Sequence, residues 1–541
     1  MSSTERRFDV VIVGAGFAGL YMLHRVRGLG LSAIVLEAED GIGGTWYRNR
    51  YPGARVDIES FDYSYSFSPE LDQEWEWTER YASQPNVLAY IDHVADRFDL
   101  RRDIQLGTRV SETHWSEEER RWSLTTEAGA SFSCRFCITA VGGLSQPKVP
   151  DIDGIADFAG PVYRSTDWPR DAVDLEGLRV GVIGTGSTGI QMIPELARRA
   201  GHVTVFQRTP NFSLPNRNRP LTDEDRSRVK AEYVERRRRT RESDLGLPVP
   251  IGEQTAQEVD DETRRREFDQ RWAAGGGAFL LAYSDLLVDP DSNEIAADYF
   301  RERISEKVED PETAAKLMPS GYPVGAKRLC LDTDYFETFN RDNVSLVDLA
   351  EEPLERVTEA GVRTAADEYE IDVLVLALGF DAVTGSILAL DIHGRDGSAL
   401  ADVWAEGPRA HLGLQVAGFP NLFLLTGPGS PSIIVNVVAA IEQHVEWVAG
   451  CLRYLAEHAV ETIEADRDAQ DAWVEHVREV AEATLFPRAD SFYVGANVPG
   501  KPRVFMPYLG GIANYAAVCE RVAANGYEGF ELVAAAQEAA A

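Results

Sequence analysis

The chain has 541 residues, 44% of them hydrophobic, and sets 88 Asp and Glu against 54 Lys and Arg for a net charge of -34. That length fills more than one hydrophobic core and leads to an expectation of two to four domains. So negative a chain excludes a nucleic-acid partner and an anionic membrane surface, both of which would repel it.

Residues 8–13 (FDVVIV) form an apolar run of strand length that ends in Gly14-Ala15-Gly16-Phe17-Ala18-Gly19. Leu20, Leu23 and Val26 follow at helical spacing, and residues 33–36 (AIVL) close on Glu37. A lone G-x-G-x-x-G says little, but between a strand and a helix, with an acid about 20 residues on, it predicts a dinucleotide site. Gly14, Gly16 and Gly19 let backbone approach a pyrophosphate at the helix N-terminus, and Glu37 can accept hydrogen bonds from a ribose. Arg6-Arg7 imitates a twin-arginine signal, yet the run behind it is short and already serves as a strand.

The next segment, GGTWYRNRYPGARVD over residues 43–57, joins glycine turns to Trp46, Arg55 and Asp57. Five cysteines in so long a chain do not make a disulfide framework. Cys134 and Cys137 have C-x-x-C spacing but lie in a strand-like run, 131–141, where residues three apart point to opposite faces. They are therefore read as buried strand cysteines and not as a dithiol centre. Flavin disulfide reductases carry their redox cysteines soon after the first acid, where this chain has Thr45, Trp46 and Tyr47. Residues 139–143 are read as a return strand and glycine turn beside the first nucleotide.

A second copy of the pattern begins at residues 178–183, which open into Gly184-Thr185-Gly186-Ser187-Thr188-Gly189 and a helix through Ile190 and Gln191. The strand that follows, 203–207, ends in Arg208 where the first copy has Glu37. A carboxylate repels a ribose 2′-phosphate and a guanidinium binds one. The second nucleotide is accordingly read as NADPH and the first, by elimination, as FAD, the alternative being that Arg208 is a solvated surface arginine.

Residues 215–321 are charged, helical in pattern and broken by Gly275-Gly276-Gly277, which predicts a helical insertion. Within it, Arg236-Arg237-Arg238-Arg239 stands among Glu232, Glu235 and Glu242 and is read as a solvated helix face. Strand-like pieces resume at 344–347 and 371–378. Residues 422–441 carry no charge over a length that could span a bilayer, but GPGSP breaks them into strand, turn and helix. The expected compartment is the cytoplasm, with no metal and no protein partner indicated.

Together these features predict an α/β protein with two Rossmann-like dinucleotide-binding domains and a helical insertion. The expected division is 1–145 and 381–541 for FAD, 146–215 and 326–380 for NADPH, and 216–325 for the insertion. No internal repeat is visible beyond the two fingerprints.

Between the fingerprints lies FAGPVYRSTDWP, with Phe158, Gly160, Trp168 and Pro169 in an F-x-G-x7-W-P pattern. That pattern, with GGTWYRNRYPGARVD, YPVGAKRLCLDTDYFETFNRDNV (322–344), GPGSP (427–431) and ANVPGKPRVFM (496–506), resembles the type I Baeyer-Villiger monooxygenases along nearly the whole chain. The likeness is closest to the phenylacetone and cyclohexanone monooxygenase branch. The resemblance implies an enzyme that uses FAD, NADPH and O2 to convert a ketone into an ester or lactone through a C4a-peroxyflavin. It implies Arg328 as the cation that stabilises this species and Asp57 as the acid that positions it. Lys327, Arg208 and Thr209 would hold the 2′-phosphate, and Arg55 with Thr185, Gly186, Ser187, Thr188, Gly189, Ile190 and Gln191 would touch the same cofactor. Ala18, Glu37, Gly44, Thr45, Trp46, Tyr63 and Val110 match FAD positions. Ile58, Gly143, Leu144, Ser432, Ile433 and Ile434 would line an apolar substrate pocket, with Val435 beside them.

Three positions depart from the family pattern: Arg164 replaces a His, Leu378 a Thr and Phe492 a Trp. Arg stays cationic and only donates hydrogen bonds, so Arg164 is expected to have found an acidic or carbonyl partner that maintains the linker. A flavin-dependent oxygenase of sulfides or amines, or an uncoupled NADPH oxidase, remain the alternative functions.

Overall fold

The structure is a computed structural model that describes residues 5–534. Its main sheet is built on the first fingerprint strand, Arg6–Val13, which lies parallel between Ala33–Leu36 and Ser131–Thr139. Ile104–Gln105 extends one side, and Arg121–Thr126, Val110–Ser116 and Ile392–His393 extend the other. The late strand Leu422–Leu424 pairs with the C-terminal end of Ser131–Thr139. Val10, Val11 and Ile12 are fully buried because helices or strands cover both faces, as a continuous apolar run requires.

The second sheet is entirely parallel, in the order Val344–Asp348, His202–Gln207, Arg179–Ile183, Val373–Leu376, Val162–Arg164. Its strands come from residues on both sides of the helical segment that contains Asp223–Glu242, Asp261–Ala274, Pro290–Lys307 and Pro311–Leu317. Tyr233, Phe268, Trp272 and Phe300 from this segment share one core with Phe17, Tyr65 and Trp77 of the first-sheet layer. The insertion is thus packed against the first nucleotide layer, while Ile304, Val308, Ala314 and Leu317 from its later part join the core of the second sheet.

Two expectations are corrected here. Cys134 and Cys137 lie in the same core cluster, with Trp122 and Leu424, while Phe136 and Ile138 face the other side. The alternation slips because the strand changes neighbour at this point: Cys134 pairs with Trp122, Cys137 with Leu422. Asp9 and Val10 on the adjoining strand both donate to the Ser32 carbonyl, at 3.1 and 3.0 Å, which is the signature of a bulge. The hydrogen bond from Cys134 and deep burial push the Cys137 thiol well up, so this pair of free cysteines is unreactive packing.

The arginine run is the second correction. Arg238 and Arg239 are exposed and pair with Glu235, as a solvated face should. Arg237 is only 6% exposed and donates to Asp72 at 2.8 Å, and Arg236 reaches Asp62 and Glu59. Buried arginine on a helix this rich in charged residues is legible only once its carboxylate partners are known. Among the described residues no helix is long and apolar enough to cross a membrane.

The helix Val437–Glu457 crosses behind the first fingerprint helix and carries the fully buried His444. Its Nδ1 accepts from the Thr426 amide at 2.9 Å, and burial pulls its pKa down to about 3. His444 is therefore neutral in the folded protein, whereas the unfolded chain takes up a proton below about 6.5. This contribution to stability is whole above that pH and is lost as pH falls toward 3. Melting temperature should drop as pH is lowered from 6.5 to 5, and His444→Asn, whose amide oxygen can still accept from Thr426, should flatten that drop. An unchanged slope in the variant would show that other groups set it.

Candidate active site

Two helices open on the fingerprints: Phe17–Gly28, behind Gly16, and Ser187–Ala197, behind Gly186. Neither N-terminus has a side-chain cap, whereas Thr222, Asp260, Asp289 and Asp466 cap the helices they precede. The uncapped amides and the positive end of each helix make two anion sites. The strand-to-helix turns are equally tight. A Cβ on Gly14 would meet the Ala140 carbonyl at 2.6 Å and one on Gly184 the Ala377 carbonyl at 2.4 Å, so both positions require glycine.

Both turns face one cavity of about 1280 Å³. On the first-fingerprint side it is walled by Gly14, Gly16, Ala18, Glu37, Gly44, Thr45, Trp46, Tyr63 and Val110. The Ala15 and Glu39 amides donate to the two Glu37 carboxylate oxygens at 2.6 and 2.9 Å, and burial raises the Glu37 pKa. Trp46 Nε1 donates to the Tyr63 hydroxyl at 3.1 Å and the two rings meet edge to face.

On the second side the wall is Gly184, Thr185, Gly186, Ser187, Thr188 and Gln191, with Arg208, Thr209 and Lys327. Gln191 is fixed by the Tyr51 hydroxyl at 2.9 Å and by the Arg55 carbonyl at 3.2 Å, and Arg55 itself pairs with Glu79 at 3.2 Å. Lys148, which motif reading passed over, joins this group. Burial and the nearby Arg208 lower the pKa of both Lys148 and Lys327. Three cations crowded in one wall, two of them short of solvent, are costly unless an anion sits among them. Lys148 could have been noticed only as a basic residue shortly after the return strand, a weak signal.

Where the two sides meet stands Arg328. Its Nε and Nη2 donate to Asp57 Oδ2 at 3.1 and 2.5 Å, and its Nη1 donates to the Ile433 carbonyl at 3.1 Å. Asp57 raises the Arg328 pKa further above its ordinary value than burial lowers it, so the guanidinium is charged at every working pH. Tyr493, buried and unforeseen, presents its phenol to the same guanidinium, which pulls back a pKa that burial pushes up. Asp57 and Arg328 keep 31% and 28% of their side-chain surface exposed, and both line the cavity.

Ile58, Gly143, Leu144, Ser432 and Ile433 line the cavity as well. Leu144, Ile433 and Phe492 pack with Ala382, Val383 and Met506 into an apolar cluster. Four expected positions do not reach the wall. Ile434 turns to pack with Val435, Ala440 and Ile512, and Ile190 is buried in the second core. Gly19 and Gly189 sit behind the turns, each so close to the carbonyl of Gly14 or Gly184 that a Cβ would overlap it. Their role is to let helix and strand pack.

Arg164 also departs from expectation. It is exposed, at the end of the strand Val162–Arg164, and makes no hydrogen bond or ion pair among the described residues. Its strand pairs with Val373–Leu376 through backbone alone, which holds the linker without this side chain.

Ser491 Oγ and Asn497 Oδ1 are buried in residues that line the cavity and have no hydrogen-bond partner among the described residues. A polar ligand would supply one. Two uncapped helix ends, a cationic cluster and unsatisfied polar atoms around one apolar-walled cavity fit two dinucleotides, and this defines a protein with two nucleotide sites side by side. Residues 11–239 match the pyridine nucleotide-disulphide oxidoreductase family. The chain is 39% identical to cyclohexanone 1,2-monooxygenase of Acinetobacter sp over 98% of its length and 97% of that protein's. It is 40% identical to the phenazine N-monooxygenase PhzNO1 of Lysobacter antibioticus, with 98% of each covered. A steroid monooxygenase bound to NADP superposes with a TM-score of 0.94 at 49% identity, over 98% of this chain and 100% of that one. An OTEMO complex with FAD and NADP gives 0.94 at 39% identity, again over 98% and 100%. The chain belongs to the Baeyer-Villiger monooxygenases, flavin enzymes dependent on FAD and NADPH.

Two outcomes follow for this site. Arg208→Ala and Lys148→Ala should each weaken NADPH by about 1.5–3 kcal/mol, the range for hydrogen bonds to charged groups, and leave NADH almost untouched. An unchanged NADPH to NADH preference in both would place the phosphate elsewhere. Arg164→Ala should change stability by no more than about 0.5 kcal/mol, as at an unpaired surface site, and calorimetry would contradict this with a larger loss.

Proposed function

We propose that the substrate is an apolar ketone, bound between Leu144, Ile433 and Phe492 and converted to its ester or lactone with Arg328 as the catalytic cation. The observation that carries this reading is the Arg328–Asp57 pair in the cavity wall, where the two nucleotide sides meet. The domain division and cofactor contacts expected from the sequence belong to the same reading. FAD, once reduced by NADPH, supplies the chemistry that activates O2 and hands over one oxygen atom.

The protein's part is electrostatic. A guanidinium has five N–H donors, and Asp57 and Ile433 engage three of them. The remainder can meet negative charge, first on activated oxygen and then on the substrate oxygen as a carbon migrates. Donors fixed beforehand in a water-poor cavity need no reorganisation as that charge develops. Asp57 keeps the guanidinium in place, and the apolar cluster keeps competing water out.

A second reading has a specific support: the phenazine N-monooxygenase relative acts on a heteroatom by its name, and the same cavity could admit a soft sulfur or nitrogen centre. Turnover of a matched panel of ketones, thioethers and amines, with product identified, separates the two. Ester from ketones at the higher kcat/KM supports the main reading, and heteroatom oxides with no ester would overturn it.

Arg328→Ala should still bind FAD but lose roughly 10²–10³-fold in ester formation, the usual effect of removing one such donor, with peroxide released instead. Wild-type ester yield from this variant would remove Arg328 from the mechanism.

A further inference from the structure

The residues that hold Arg328 are themselves held by the insertion. Asp57 lies at the head of an irregular segment, residues 57–67, that also supplies Ile58 and Tyr63 to the cavity. Irregular backbone alone would leave the carboxylate loosely placed. Here Arg236, from the helix Asp223–Glu242, donates Nε to Asp62 Oδ1 at 2.7 Å and Nη2 to Glu59 Oε2 at 2.9 Å, and a further bond reaches Asp62 Oδ2. Arg80 takes the other Glu59 oxygen at 2.8 Å.

The same helix reaches the second anchor of Arg328. The Asp62 carbonyl accepts from Asn436 Nδ2 at 2.8 Å, and the Asn436 amide donates to the Leu245 carbonyl at 2.9 Å, just beyond the helix. Asn436 follows Ile433, whose carbonyl receives Arg328, by three residues. One helix end therefore fixes both chain segments that grip the guanidinium.

We propose that Arg236 is a positioning residue of the reaction: through Glu59 and Asp62 it sets the place of Asp57, and through Asp62 and Asn436 that of the Ile433 carbonyl, so that Arg328 meets the developing charge at the right distance. This rests on the reading of Arg328 as the catalytic cation. The bidentate geometry matters, since a planar guanidinium binding two carboxylates fixes direction as well as distance. Burial would raise the Glu59 pKa, but Arg236 and Arg80 hold it below its ordinary value, so both partners are charged when the enzyme works. Arg237 is more deeply buried on Asp72, Ser64 and Tyr65, and its loss would leave the Asp72 carboxylate buried without its partner, which makes Arg236 the informative position.

The test uses the holoenzyme and measures oxygenated product and peroxide per NADPH, the rate of anaerobic FAD reduction, and amide hydrogen exchange over residues 57–63 and 433–436. Arg236→Met should keep FAD and its reduction rate within about twofold, accelerate exchange in both segments, and lower product per NADPH roughly tenfold, as small misplacements do. Arg236→Lys should recover part of this, and Arg238→Met, exposed on the same helix, should match wild type. In an Asp57→Asn background, Arg236→Met should add clearly less than its full loss of product, because one of the two groups it positions is already gone. Should Arg236→Met not fold, Asp62→Asn tests the same link by the same readouts. Wild-type product per NADPH despite faster exchange, or an additive loss in the Asp57→Asn background, would overturn the proposal. Ester from Arg328→Ala would instead overturn the reading beneath it.

Discussion

The proposed reaction depends on one guanidinium that must stay charged, stay fixed and still have donors to offer. Burial works against the first condition, and Asp57 restores it at 2.5 Å. The Ile433 carbonyl meets the second by taking one N–H and stopping rotation about the ion pair. The third is met because neither partner saturates the fork. A second carboxylate here would neutralise the site, and a solvated arginine would be screened and mobile.

That requirement explains why the chain runs as it does. The two anchors and Arg328 itself are far apart in sequence, at positions 57, 328 and 433. They meet because the second sheet draws strands from both sides of the helical insertion, and because the insertion packs on the first-sheet layer. The insertion therefore supplies the cross-brace between segments that the nucleotide folds would leave as loops. Its arginines face inward on Asp62, Glu59 and Asp72, where a hydrophobic stripe would have packed without direction. Breaking a buried pair of this kind by removing one partner costs about 3–5 kcal/mol, which ties the fold's stability to the geometry of the site.

Much of this was legible in the sequence, for identifiable reasons. Fingerprints combine a strand, a glycine turn and a helix within a few residues, so Glu37, Arg208 and the turn glycines could be placed without a structure. Asp57 and Arg328 were legible only through a family likeness, since nothing local in residues 57 and 328 announces a pair 271 positions apart. Local reasoning failed where the answer was tertiary. The pleat rule separated Cys134 from Cys137, but a change of strand partner put them together. Flanking glutamates made Arg236 and Arg237 look solvated, and carboxylates from residues 59–72 show otherwise. Ile434 differs from Ile433 only in the direction of a short turn, and Lys148 belongs to no motif.

The central claim is that the Arg328 site delivers one atom of O2 into a carbon–carbon bond beside a carbonyl. It is tested most directly by turning over the holoenzyme with NADPH, an apolar ketone and 18O-labelled O2, with mass spectrometry of the product and a count of NADPH consumed. The account predicts an ester or lactone with one labelled oxygen, in the inserted position, matched one for one to NADPH. Unlabelled ketone returned intact, with labelled hydrogen peroxide accounting for all the NADPH, would contradict it.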